Sequence, residues 1–336
     1  MRAVTLLEPG RLATSTVADA SEPGRSQALV AVRRVGVCGT DLHAFHGRQP
    51  FFSYPRVLGH ELGVEVLAVG GEVTNVRPGD RCAVRPYLEC GSCDACRRGV
   101  PNCCSQLKVL GVHADGGMQE RLTLPADHLY PSSVLSYDEL AVAETLSIGA
   151  HAVVRGAPAA RERALIVGAG PIGLAVSRSL QAAGVEPLIC DVRAERRAFA
   201  GSWTGLDVMA PGDDPPAAVR EALGGELPTL VLEATGSAAS MAAAFSLVAP
   251  GGRLVFAGLA QADISFNDPE LHRRELTLLA SRNATASDFA RSLALLEDGA
   301  VDVAPWLTQR CVLADVPAIF PAWAAGEGGL KPLVEI

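Results

Sequence analysis

The spacing of apolar and polar positions divides the chain into two regions of different character. Up to about residue 149, short segments such as 29–37, 63–69 and 80–84 alternate apolar with polar residues, and turn-forming residues separate them. Alternation with a period of two is typical of strands with one buried face. This region therefore predicts a β-rich lobe built as a partly open barrel.

Beyond that point the apolar residues form longer uninterrupted runs. Six of them lie at 164–168, 186–191, 206–209, 229–234, 253–258 and 275–280. Helical patterns at 172–183 and 238–247 fall between these runs, and another at 288–297 follows them. Strands that are apolar on both faces are typical of a parallel sheet covered by helices on both sides. We therefore predict an α/β fold in which a doubly wound parallel sheet follows the β-rich lobe.

Length and charge narrow the class of protein. A chain of 336 residues exceeds one ordinary core and indicates two domains. The net charge is −8 and only Lys108 and Lys331 are lysines, which argues against a nucleic acid or an anionic membrane as partner. The start of the sequence lacks the apolar region of a signal peptide, and no apolar stretch is long enough to span a bilayer. We therefore expect a cytoplasmic protein.

Four cysteines within residues 90–104 have the spacing of a closed metal site. They are Cys90, Cys93, Cys96 and Cys104, and Cys103 beside the last of them permits a second register. Four thiolates around one zinc ion leave no position for chemistry, so this would be a structural site. Disulfides are the alternative, but nine cysteines is an odd number and no export signal accompanies them.

A second set of metal-binding residue types lies upstream. Cys38 is followed closely by Thr40 and His43, and His60 is followed directly by Glu61. Mixed sulfur, nitrogen and oxygen donors are typical of a catalytic zinc that keeps one position for water or substrate. The plainer alternative is that Cys38 is a small buried hydrophobe and His43 a surface histidine.

A glycine-rich turn follows the first long apolar run and opens the predicted helix. It consists of Gly168, Gly170, Pro171, Ile172 and Gly173. In a dinucleotide-binding turn the first glycine turns the chain, the second lets a pyrophosphate approach, and the third packs the helix on the strand. The N-terminus of the helix then supplies N–H donors to phosphate.

The second apolar run ends at Asp191, and this position indicates the choice of dinucleotide. A carboxylate here can bind both hydroxyls of the adenosine ribose and repel a 2′-phosphate, so NAD is predicted. Arg193, Arg196 and Arg197 leave NADP open, because a guanidinium at this place can accommodate the additional phosphate.

These motifs, in this order and over nearly the whole chain, resemble the zinc-containing medium-chain dehydrogenases, the alcohol and polyol dehydrogenase family. Segments 144–153 and 281–289 resemble the branch of sorbitol, idonate and galactonate 5-dehydrogenases. The resemblance implies a GroES-like catalytic domain at 1–147 with 283–336, and a Rossmann cofactor domain at 148–282. It also implies a homo-oligomer, a dimer or a tetramer.

The resemblance assigns roles to individual residues. It implies that Cys38 and His60 are ligands of a catalytic zinc, that Glu61 is a carboxylate able to ligate it, and that Cys104 rather than Cys103 belongs to the structural zinc. Glu144 would be a further zinc ligand or a base beside zinc-bound water; an ordinary solvent-facing or helix-capping carboxylate is the alternative. Thr40 and His43 would relay a proton to solvent. Arg196 matches a basic position that accompanies NAD.

The function implied is that of a zinc-dependent, NAD-linked oxidoreductase that takes a hydride from a secondary hydroxyl of a polyol, a sugar acid or a related polyhydroxy compound. An aminocyclitol dehydrogenase or an aldehyde reductase of the same family stays open, as does a non-catalytic zinc-binding regulator. The sequence does not identify the substrate. Phe51, Phe52 and Tyr54 either line the pocket or pack in the core, and Arg282 either holds a substrate carboxylate or forms a surface salt bridge.

Overall fold

The computed structural model describes all residues from Met1 to Ile336. The chain forms two compact units, the first consisting of Met1–Glu144 with Thr285–Ile336 and the second of Thr145–Ala284. No helix combines the length and the apolar composition that a membrane span requires.

The N-terminal part of the chain is rich in strands. The strands are β1 (Arg2–Glu8), β2 (Arg11–Thr16), β3 (Gln27–Gly36), β4 (Arg56–Val57), β5 (Glu61–Val69), β6 (Arg81–Val84), β7 (Tyr87–Leu88), β8 (Lys108–Val109), β9 (Arg121–Pro125) and β10 (Leu129–Pro131). The helices are α1 (Gly39–Phe45), α2 (Asp94–Arg97) and α3 (Tyr137–Gly156).

Strands and helices alternate in the second unit. The strands are β11 (Ala164–Val167), β12 (Leu188–Cys190), β13 (Val208–Met209), β14 (Leu230–Glu233), β15 (Arg253–Phe256) and β16 (Thr277–Ala280). The helices are α4 (Pro171–Ala182), α5 (Ala194–Thr204), α6 (Pro215–Ala222), α7 (Ala238–Ala244) and α8 (Asp268–Arg273). The last elements of the chain, α9 (Ala286–Glu297), β17 (Arg310–Val312), α10 (Val316–Ala322) and β18 (Leu333–Glu335), belong to the first unit.

The first unit is organised around one large sheet with the strand order β10-β6-β5-β3-β18-β17, and β9 also pairs with β3. The C-terminal strand β18 lies antiparallel to β3, with Leu333 opposite Gly36. Its hydrophobic core joins residues from both ends of the chain, among them Val35, Leu62 and Phe320. The C-terminal segment is therefore part of the core of the unit that holds Cys38 and His60.

The second unit is a six-stranded parallel sheet with the order β13-β12-β11-β14-β15-β16. Its central strands are buried on both faces, as the uninterrupted apolar runs predicted. The predicted fold class, a β-rich lobe joined to a doubly wound sheet, is confirmed. Strand β12 begins only after Pro187, because proline has no N–H to donate to a neighbouring strand.

Candidate active site

Cys38 and His60 come from two loops that one buried carboxylate holds together. Cys38 immediately precedes α1, and Asp41 in the first turn of that helix accepts a hydrogen bond from the Cys38 N–H at 2.9 Å. The same side chain accepts one from the Gly59 N–H at 3.2 Å, and its Oδ1 lies 3.8 Å from Nδ1 of His60. Asp41 thereby fixes the loop before His60 and can orient the imidazole ring.

Three donor groups of different chemistry meet at this point. The Cys38 thiol, a His60 ring nitrogen and a Glu61 carboxylate oxygen all lie within 4.8 Å of one another. His60 and Glu61 are buried at the start of β5, opposite Gly36, where a Cβ would come within 2.2 Å of Glu61 Oε2. One sulfur, one nitrogen and one oxygen donor suit zinc and leave a fourth position of the tetrahedron open. The residues present therefore fit a catalytic zinc ion.

Glu144 lies near this group but outside it. The residue is buried in the middle of α3, so it neither caps the helix nor faces solvent. Its Oε1 accepts a hydrogen bond from the hydroxyl of buried Tyr87. Burial raises the pKa of the Glu144 carboxyl, and the neighbouring His60 and Lys331 oppose that rise. Glu144 is thus a second buried carboxylate beside the three donors.

Two further residues of this site had not been identified from the sequence. Lys331 donates from Nζ to both oxygens of Glu61, at 2.6 and 2.8 Å, and both side chains are buried. Burial by itself would lower the pKa of Lys331, but Glu61 offsets this and holds that pKa above its ordinary value. The signal in the sequence that could have found Lys331 is that this residue, one of only two lysines in the chain, lies in an apolar stretch. Tyr87 gave no comparable signal.

The two residues of the predicted proton relay lie three positions apart on α1. Thr40 is partly exposed and His43 is exposed. Partial burial, together with nearby Arg48 and His46, lowers the pKa of His43. The imidazole is therefore neutral over a wider pH range than a free histidine side chain.

The four-cysteine group is a separate feature of the first unit. Cys90, Cys93, Cys96 and Cys104 offer sulfur atoms within 4.8 Å of one another, while Cys103 is exposed and outside the group. Backbone N–H groups of Cys96 and Ser105 lower the pKa of Cys93 to about 5, whereas burial raises the pKa of Cys96 to about 12. Thiolates are needed for metal binding, so an incoming zinc ion would displace the proton of Cys96.

The glycine turn of the second unit has the form expected of a phosphate-binding loop. Gly168 has φ +105°, and a Cβ on Gly173 would lie 1.8 Å from the carbonyl oxygen of Gly168. Both positions therefore require glycine. Gly170 precedes α4, which begins at Pro171 and Ile172, so the N-terminus of that helix faces the turn. A Cβ on Gly170 would lie 3.3 Å from the guanidinium of Arg196.

Asp191 is bonded to the same turn. Its Oδ2 accepts from the Ala169 N–H at 2.7 Å, and its Oδ1 accepts from the Arg193 N–H at 2.8 Å. A carboxylate has about four lone-pair sites, so each oxygen can accept a further hydrogen bond. The structure therefore brings the glycine turn and the acid of the second strand into direct contact.

The aromatic residues before the metal-binding loop have different roles. Phe52 and Tyr54 are in edge contact at 4.8 Å and pack against the core, and the Tyr54 hydroxyl donates to the carbonyl of Ala44. Phe51 is exposed and stacks on His113. Arg282 has an exposed side chain. Of the three aromatics, Phe52 and Tyr54 therefore pack against the core, and only Phe51 is exposed.

Comparison with known proteins identifies the class. The family model of the alcohol dehydrogenase GroES-like domain matches residues 24–134, and that of the zinc-binding dehydrogenases matches residues 171–298. L-galactonate-5-dehydrogenase from Escherichia coli (strain K12) is 40% identical over 289 residues, which cover 86% of this chain and 85% of that protein. The chain belongs to the zinc-binding alcohol dehydrogenase family, and the predicted enzyme class, a zinc-type oxidoreductase, is confirmed.

Two other proteins extend the comparison. D-altritol 5-dehydrogenase from Agrobacterium fabrum is 36% identical over 333 residues, 95% of each chain. A solved structure described as a short chain alcohol dehydrogenase from Escherichia coli CFT073 complexed with NADH superposes with a TM-score of 0.91 at 28% identity, covering 100% of this chain and 99% of that one. The chain therefore shares the fold of a solved dehydrogenase structure that holds NADH.

Proposed function

We propose that the protein is a zinc-dependent, NAD-linked dehydrogenase that oxidises a secondary hydroxyl of a polyol, a sugar acid or a related polyhydroxy compound. The proposal rests chiefly on the three-donor group of Cys38, His60 and Glu61, with the second carboxylate of Glu144 beside it. The names of the galactonate and altritol dehydrogenases support a polyhydroxy substrate.

In this proposal Cys38, His60 and Glu61 hold the catalytic zinc, and Cys90, Cys93, Cys96 and Cys104 hold a structural one. A bound catalytic zinc polarises the substrate hydroxyl and lowers its pKa. Glu144, held by Tyr87, interacts electrostatically with His60 and Glu61, and it would act on a substrate hydroxyl bound beside them. We assign it as a base or substrate-orienting carboxylate rather than as a further ligand, because three donors already leave a single free position.

In this proposal the proton of the substrate hydroxyl and the hydride leave the substrate by different routes. Thr40 would accept the proton of the substrate hydroxyl while giving up its own hydroxyl proton to the relay. His43, which is exposed and neutral, would take up the relayed proton and release it to water. Gly168, Gly170 and the N-terminus of α4 would hold the pyrophosphate of NAD, which would supply the hydride acceptor. Asp191 accepts hydrogen bonds from the ribose hydroxyls.

A substrate screen tests the proposed function. Zinc-loaded protein is mixed with NAD and with hexitols, aldonates, cyclitols, ethanol or benzyl alcohol, and NADH formation is followed by absorbance. Several hydroxyl groups can bond to the two carboxylates, so the best polyhydroxy compound should exceed the simple alcohols at least about tenfold in kcat/KM. Cys38→Ser is the inactive control. A preference for simple primary alcohols, or no NADH from any compound, would contradict the proposal.

We further propose that the enzyme acts in the cytoplasm as a homo-oligomer that associates through the second unit. Strand β16 lies at the edge of the parallel sheet, and three of its four residues are exposed, Leu278 to 41%. An exposed edge strand offers unpaired backbone groups to the same strand of another copy. This favours an isologous pair about a two-fold axis.

A further inference from the structure

Lys331 occupies an unusual place for a lysine. It is 2% exposed and contacts both oxygens of Glu61, one of the three proposed zinc ligands. The sheet explains how it gets there: Gly36 on β3 lies opposite Glu61 on one side and opposite Leu333 of β18 on the other. Because Gly36 has no side chain, the Glu61 side chain lies over it, where a Cβ would come within 2.2 Å of Oε2. Lys331, two residues before Leu333, then contacts that carboxylate.

The buried acidic groups around this point carry more negative charge than one zinc ion can compensate. Cys38 as a thiolate, Glu61 and Glu144 supply three negative charges, Asp41 is a further buried carboxylate beside His60, and a zinc ion supplies only two positive charges. A buried charge without compensation is costly. Lys331, which interacts electrostatically with Glu61, Cys38 and Glu144, adds a third positive charge.

In the proposed site the Glu61 carboxylate would bind both Lys331 and the zinc ion. Its oxygens carry about four lone-pair sites, so Lys331 and a metal ion can bind it at the same time. Two cations on one carboxylate repel each other and each weakens the hold of the other. Such a coupling acts equally in both directions, so zinc and Lys331 must oppose each other by the same free energy.

We propose that Lys331 is a positioning residue that shares Glu61 with the catalytic zinc, weakening the Glu61–zinc bond and stabilising the buried carboxylates when zinc is absent. This inference rests on the proposed ligand set of the active site. A weaker carboxylate bond leaves the metal more electrophilic toward the substrate hydroxyl. The lysine contributes without touching the substrate.

The first test measures zinc release. Lys331→Met keeps the length of the side chain and removes its charge, so Glu61 should bind zinc more strongly. Zinc transfer from the holoenzyme to a coloured chelator should slow at least about tenfold, the factor that corresponds to roughly 1.4 kcal/mol, while kcat falls. Zinc release from the two proposed sites should give two kinetic phases. The phase that Cys38→Ser abolishes is the one that belongs to the catalytic site. Lys108→Met is the matched control, since it changes the other, exposed lysine and should leave both phases unchanged.

The second test separates charge sharing from simple support of the fold. Thermal unfolding is compared for wild type and Lys331→Met, each with the catalytic zinc present and after its removal. The variant should lose much more Tm in the zinc-depleted form, because zinc takes over the compensation of Glu61. An equal loss in both forms, or faster zinc release in the variant, would overturn the proposal and reduce Lys331 to a structural residue.

If Lys331→Met does not fold, the double variant Lys331→Met/Glu61→Gln tests whether the loss of charge compensation is the cause. It removes both charges together, so folding should be restored, and a double variant that also fails to fold would contradict charge compensation. These measurements need no substrate. A failed substrate screen would therefore remove the proposed activity without affecting this result, whereas an unchanged zinc content in Cys38→Ser would remove the ligand set itself.

Discussion

In the proposed cofactor site, Asp191 would serve both the fold and the choice of cofactor. Its two oxygens already hold the glycine turn and the start of the next loop through backbone N–H groups. The carboxylate is thereby fixed in place before any nucleotide arrives. Such preorganisation makes a misplaced negative charge on the ligand more costly, because Asp191 cannot move away.

The substitution Asp191→Ala should weaken NAD binding and relieve the penalty on NADP. The wild type should prefer NAD about a hundredfold or more, since NADP sets its phosphate against the carboxylate, and the ratio should move toward NADP in the variant. Asp191→Asn is the matched variant: it removes the charge but keeps an acceptor for the Ala169 N–H. It therefore separates the effect of the charge from that of a loosened turn. Steady-state kinetics with both cofactors give the answer; an unchanged ratio in both variants would show that Asp191 does not face the ribose.

His43 should determine the acidic limb of the pH profile. Its pKa is lowered by partial burial and by Arg48 and His46. A relay base acts in its neutral form, so kcat/KM should be constant above this lowered pKa and fall as the pH drops through it. Arg48→Met should raise the pKa and move that limb to higher pH. His43→Gln should cost about a hundredfold and abolish the limb; a limb that stays in place in His43→Gln would exclude this residue from the relay.

At the scale of elements, the apolar runs of strand length predicted the parallel sheet, and the helical patterns predicted α4, α7 and α9. Helix α3 was not predicted, because it is buried on nearly every side and so shows no 3.6-residue period. The contacts of Lys331 with Glu61 and of Tyr87 with Glu144 were not predictable either. They depend on the register of β18, β3 and β5 and on the packing of α3, which no local pattern encodes.

The segment from β7 to β8 should depend on its metal. It is a long connection with only one short helix and one 3₁₀ turn. A metal ion bound by its four cysteines would hold this connection together. Cys93→Ser should lose one zinc ion per chain and markedly lower the Tm, since structural zinc sites contribute about 10 kcal/mol in small domains. Cys103→Ser changes the neighbouring exposed thiol and should alter neither zinc content nor Tm. Equal behaviour of the two variants would refute the assignment.

At the scale of the whole molecule, the glycine turn and the two metal-binding groups are each encoded by short segments, which is why the family was recognisable from the sequence. The proposed assembly of copies is not encoded in this way. It depends on which surface remains exposed after folding, and only the structure identifies the outer edge at β16.

Leu278→Glu on that edge should separate the copies. A buried charge at a two-fold contact meets the same charge of its symmetry mate, so the two copies repel each other at that contact. Analytical ultracentrifugation should find a smaller assembly, with each chain still folded by circular dichroism. Val134→Glu, at an exposed position of the first unit, is the matched control and should not change the mass. Wild-type protein that sediments as a monomer would refute self-association.

The C-terminal strand β18 also has a consequence for the order in which the protein can form. The second unit is continuous in sequence, whereas the first is completed only by residues translated after it. On the ribosome, Cys38, His60 and Glu61 therefore emerge long before Lys331, and β3 waits for its partner while about 140 residues of the second unit are made. A nascent chain can thus fold its second unit first. The first unit gains Lys331, the buried partner of Glu61, only when synthesis is nearly finished.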